Sequence, residues 1–157
     1  MIGTKGDEVM KRLGYLAAAI VIVVGLGIFY FSPKNYTFKE TVLDKLDPTS
    51  VASIEVIKRD QQGEHTKNVT DSNEINEILN ALSAAKLKKS TSSDIEFTES
   101  YWMTLNTKEK GRAYGMTLYD NDYINTFEYN AAAPKNASRS YKITNDFDTL
   151  VIRDLFK

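Results

Sequence analysis

The chain has 157 residues with 20 basic and 21 acidic side chains, a formal net charge of −1, no cysteine and one histidine. That balance gives no electrostatic basis for nucleic-acid binding, which calls for a basic patch. The missing cysteines exclude disulfides, thiol nucleophiles and thiolate metal sites, and one histidine excludes a multi-histidine metal centre.

Residues 1–12 form a short polar leader without a lipidation signal. Residues 13–31, LGYLAAAIVIVVGLGIFYF, contain no charged side chain. As an α-helix this run extends about 28 Å, close to the roughly 30 Å hydrocarbon core of a bilayer. A cleaved signal peptide is the alternative, but the exit Ile28-Phe29-Tyr30-Phe31-Ser32-Pro33 is bulky and Pro33 obstructs a cut after Ser32. The expectation is an uncleaved signal-anchor, a single transmembrane helix whose Leu13, Leu16, Ile20, Val24, Ile28 and Phe31 meet membrane lipid. Lys11 and Arg12 abut the run and favour a cytoplasmic N-terminus, which makes the chain a single-pass cell-membrane protein with its C-terminal domain extracytoplasmic.

Residues 32–50 form a juxtamembrane segment bracketed by Pro33 and Pro48. Its Tyr36, Phe38, Val42, Leu43 and Leu46 are too apolar for a free linker, so a short turn or one-turn helix packed on the domain is expected. The extracytoplasmic domain then occupies 51–157. Ala52, Ile54 and Val56 alternate with Ser53 and Glu55, the period of a half-buried strand, and Gly63 supplies a hairpin turn into a polar edge strand over 65–69. Asp71-Ser72-Asn73-Glu74 has the form of a capping box. Ile75, Ile78, Leu79, Leu82 and Ala85 recur at helical spacing, predicting a core-facing helix over about 72–86.

Lys86-Leu87-Lys88-Lys89 and the hydroxyl-rich 90–93 read as a basic helix end running into a mobile connection. Tyr101, Met103 and Leu105, then Tyr114, Met116 and Leu118, then Tyr123, Asn125, Phe127 and Tyr129 mark three strands of a meander. A last strand over 140–144 carries Tyr141 and Ile143, and Phe147, Leu150, Val151 and Leu155 share one face of a terminal helix. The fold class is therefore α+β: a single antiparallel sheet of about five to six strands, an amphipathic helix on one face and a short C-terminal helix, all behind one N-terminal transmembrane helix.

Chemistry-bearing constellations are few. His65 lies on a polar strand beside a turn, which suits no Ser–His–Asp arrangement. Asp120-Asn121-Asp122 lacks the glycine and distal glutamate of a calcium loop and reads as a turn. Paired carboxylates such as Glu96 and Glu99 have the chemistry for acid–base work, though with 21 acidic residues some proximity arises by chance. No cofactor or metal site is expected. Three N-glycosylation patterns, at Asn35, Asn68 and Asn136, arise readily in a chain this rich in Asn, Ser and Thr. The tyrosines of the meander exceed the needs of a small core, and tyrosine and tryptophan suit contact surfaces. Trp102, Tyr114, Tyr119, Tyr123 and Tyr129 are the candidate binding residues.

The Asp71-Ser72-Asn73-Glu74-Ile75 helix start and the tyrosine-rich strands, over 51–157, resemble the small uncharacterised extracytoplasmic domains of Gram-positive bacterial membrane-anchored proteins and lipoproteins. The resemblance implies no catalytic residue, and the chain departs from the lipoproteins by having no cysteine to acylate. The function expected is a non-catalytic binding or accessory module of the bacterial cell envelope, contacting an envelope protein or glycan through an aromatic-rich sheet surface. A carboxylate-based envelope hydrolase, or a sensor or regulatory subunit acting through the transmembrane helix, is the alternative.

Overall fold

A computed structural model describes residues 14–24, 35–91, 95–120, 122–132 and 137–157. The chain divides into two units, 1–33 and 34–157. In the first, helix α1 covers residues 14–24 and exposes its apolar side chains, Leu16, Ile20 and Val24 among them. Among the described residues no helix is long and apolar enough to cross a membrane. The transmembrane helix expected over 13–31 is corrected accordingly, and the signal-anchor, the membrane-lipid partner and the single-pass topology that rested on it are withdrawn. Leu13, Ile28 and Phe31 lie outside the described residues.

The second unit contains an open sheet of eight strands: β1 (Asn35–Thr37), β2 (Val51–Asp60), β3 (Gly63–Val69), β4 (Lys86–Lys89), β5 (Ser100–Thr107), β6 (Gly111–Tyr119), β7 (Tyr123–Glu128) and β8 (Ser138–Ile143). Their spatial order is β1-β4-β8-β7-β6-β5-β2-β3, and every neighbouring pair is antiparallel. The expected five to six strands are corrected to eight by β1 and β4. Strand β1 has 3 residues and β4 has 4, of which Leu87 alone is buried, so neither is long enough to show a two-residue period. The lysines of β4 are thus ladder residues, paired to β1 on one side and β8 on the other.

Helix α2 (Ser72–Ser83) starts where Asp71 Oδ1 accepts from the N–H groups of Asn73 at 2.9 Å and Glu74 at 3.1 Å. It buries Ile75, Ile78, Leu79 and Leu82 on the sheet. Because β3 ends one edge of the sheet and β4 lies next to the other, α2 carries the chain from one side to the other. One sheet face forms the core. Ile54, Val56, Tyr101, Met103, Leu105, Met116, Leu118 and Ile124 point at α2, at Phe38, Val42 and Leu43 around a π-helical turn (Lys39–Leu43), and at Ile152. That turn is closed by a reciprocal pair, Thr37 N–H donating to Glu40 Oε2 at 2.8 Å and Glu40 N–H to Thr37 Oγ1 at 3.2 Å. A short helix α3 (Leu150–Arg153) and a 3-10 turn (Asp154–Phe156) complete the helical layer.

Candidate functional site

Where β3, α2 and the C-terminal segment converge they leave a groove of about 620 Å³. Strand β3 contributes Lys67, Asn68 and Val69, α2 contributes Glu74, Glu77 and Ile78, and the C-terminal segment contributes Val151, Asp154 and Leu155. Residues three and four apart share a helix face, so Glu74 stands beside both Glu77 and the buried Ile78. The result is an apolar floor, Val69, Ile78, Val151 and Leu155, under a rim of three carboxylates and one lysine. Asp154 Oδ1 holds Lys157 Nζ at 2.6 Å. Glu74 and Glu77 are exposed and make no ion pair among the described residues.

The C-terminal wall is fastened from beneath. Ile152 is fully buried, Arg153 Nε lies 3.7 Å from Glu99 Oε1, and the Tyr101 hydroxyl donates to Glu99 Oε2 at 3.2 Å. The Tyr101 ring also packs on Phe156, with centroids 6.1 Å apart. Burial first, then the charge and hydrogen bond of Glu99, push the Tyr101 phenol up to about 12. Glu99 is therefore a structural partner of Tyr101 and Arg153, and Glu96 is an exposed loop residue. His65 is exposed on β3. Among the described residues no group of His, Cys, Asp and Glu is placed to hold a metal ion.

The five aromatic residues expected to form one binding surface do not gather into one cluster, although Tyr119 pairs with Tyr123 across the ladder and borders one recess with Trp102. Tyr114 is buried on the helix-covered face, its phenol pushed up to about 12 by burial and then by Glu128. Trp102 is 43% exposed on the opposite face, its Nε1–H donating to Thr104 Oγ1 at 3.1 Å. Tyr119 packs on Phe97 with centroids 4.9 Å apart, and Trp102, Tyr119 and Phe97 border a shallow 280 Å³ recess with Ile57, Arg59, Ser100 and Thr117. Tyr123 is half-buried with Lys142 Nζ 5.8 Å from its ring centre. Tyr129 folds over Gly115 and meets Phe127 edge-on at 5.0 Å. The aromatic-rich sheet surface is thus corrected to small local groupings with no single cluster, and the envelope partner assigned to it loses its basis. Strand alternation sends Tyr114 inward, and the others spend their rings on local neighbours.

Sequence reasoning missed the groove. Glu74 and Glu77 were visible as the polar flank of an amphipathic helix, but nothing local brings Val151, Asp154 and Leu155 to them.

Fold and groove together define a small α+β domain with an open antiparallel sheet and an amphipathic cleft at one edge. Residues 39–132 match a protein family described as "Domain of unknown function (DUF5300)", and the chain belongs to that family. The matched stretch holds Lys67, Glu74 and Glu77 and stops before the C-terminal wall of the groove. No curated protein and no solved structure matches the chain.

Proposed function

We propose that the domain is a binding module whose site is the groove between β3, α2 and the C-terminal segment, and that it takes a cationic ligand with an apolar portion. The observation that carries this reading is the pairing of an apolar floor with a rim of Glu74, Glu77 and Asp154. Apolar side chains give contact area, while the carboxylates around them, of which Glu74 and Glu77 make no ion pair among the described residues, select for positive charge. The cysteine-free composition supports an origin in a Gram-positive bacterium.

The test is a fluorescence-anisotropy titration of the full chain. The probe is a labelled nine-residue peptide with lysine and valine taking turns at the odd positions and threonine between. Saturable binding that weakens as salt rises is expected, because exposed charges are screened within about 10 Å at 0.1 M ionic strength. Joint replacement Glu74→Gln, Glu77→Gln and Asp154→Asn should weaken it about tenfold, equivalent to roughly 1.4 kcal/mol. Equal affinity for a peptide with aspartate in place of lysine, or no change in the triple variant, overturns the reading.

A further inference from the structure

We infer that the ligand of this groove, on the reading just given, is an extended basic segment of another protein that adds to the sheet as a ninth strand beside β3. Strand β3 is 7 residues long, sits at the end of the sheet and is bonded to β2 alone. All its residues but Val69 are exposed. The hairpin closes at Asp60 and Gly63 around two loop residues. In an antiparallel ladder the bonded pairs alternate from such a closing pair. Gly63, His65, Lys67 and Val69 therefore spend their backbone groups on β2. Glu64, Thr66 and Asn68 turn their N–H and C=O groups outward, with no partner for them among the described residues.

A free edge of this kind pairs with any extended chain that its flanking side chains tolerate. The register supplies the selectivity. Lys67 and Val69 share the helix-covered face with their partners Val56 and Ile54, so every second side chain of an added strand points into the groove. There it meets Glu74, Glu77 and Asp154 around Ile78 and Leu155. Lysine or arginine interspersed with aliphatic residues at alternate positions is the sequence this geometry accepts. The opposite edge, β1, has 3 residues and offers no comparable template.

The experiment uses the same nine-residue probe in two backbone-methylated forms, one methylated at its threonine nitrogens and the other at its lysine and valine nitrogens. Both keep the charge and side chains of the parent. Only one set of nitrogens faces β3 in a strand pairing, so one form should lose at least about tenfold in affinity while the other keeps it, and which one loses gives the strand direction. Thr66→Pro should likewise abolish binding. It removes an outward N–H and spares the β2 ladder, and circular dichroism confirms that the fold survives. Equal affinity of the two methylated forms overturns strand addition, whatever Thr66→Pro does. If the triple carboxylate variant still weakens every form, the groove reading stands without it. A difference between the methylated forms that persists undiminished in the triple variant keeps the strand and removes the groove.

Discussion

Replacing Asp120 removes the acceptor of three hydrogen bonds at once. Its carboxylate takes the Thr98 N–H at 2.6 Å, the Thr98 hydroxyl at 3.0 Å and the Glu99 N–H at 2.8 Å, tying the segment before β5 to the turn after β6. Burial acts to raise its pKa, but the donors from Glu99 and Thr98 prevail and hold it below the ordinary carboxylate value. Hydrogen bonds to a charged group contribute about 1.5–3 kcal/mol when buried, and partial exposure here reduces each to about 1. Three bonds at about 1 kcal/mol each give a cost of about 3 kcal/mol for Asp120→Ala, to which placing alanine at φ +43° adds. In a domain of this size that lowers Tm by about 10 °C. Asp120→Asn keeps a side chain that tolerates positive φ and one acceptor oxygen, and should cost about 1 kcal/mol. The folded pKa lies below the unfolded one, so the charge contributes in full above about pH 4 and its contribution disappears as pH falls through the folded value. Thermal unfolding by circular dichroism should show wild type above Asp120→Asn at pH 7, with the gap narrowing as pH falls below the ordinary carboxylate range. A gap that is zero at neutral pH, or that does not narrow on acidification, refutes the account.

Two further outcomes follow from packing. An added Cβ at Gly115 stands 3.3 Å from Tyr129 Cε2, so Gly115→Val should destabilise by about 1–3 kcal/mol in wild type and by much less alongside Tyr129→Ala; equal costs in a denaturant double-mutant cycle contradict this. Tyr101 and Tyr114 have folded pKa values of about 12 against 10.0 when free, so the stability they add is complete below about pH 10 and is lost as pH rises through about 12. Phenolate absorbance should show them ionising only as the fold is lost, and ionisation near pH 10 with unchanged circular dichroism would exclude it.

What was legible in the sequence was whatever depended on neighbours along the chain. Asp71 caps α2 through Asn73 and Glu74, and Ile75, Ile78, Leu79 and Leu82 are the residues it buries. Glu74 makes no return bond to complete the box, and the helix stops at Ser83 because Ala84 is its cap and Lys86 begins β4. The Thr37–Glu40 reciprocal pair has the T-x-x-E spacing of a capping box, but it lies between Pro33 and Pro48 and precedes only a five-residue turn. Strands β1 and β4 exist only because β8 and each other supply hydrogen-bond partners from far along the chain. The aromatic surface failed for a similar reason: an excess of tyrosine says nothing about which rings a sheet turns inward or folds onto a glycine. The hydrophobic run at 13–31 shows the limit of length arguments, since its composition fits a bilayer while among the described residues no helix is long and apolar enough to cross one.

The walls of the groove come from positions 67–69, 74–78 and 151–155, so no single element of the chain supplies it. It exists only when the hairpin, the crossing helix and the C-terminal segment are assembled together. A ligand held there binds the native state alone, and mass action then shifts the whole folding equilibrium by about 2.7 kcal/mol at a concentration one hundred times its Kd. Occupancy and global stability are in this way a single linked quantity, and a melting curve is also a binding assay.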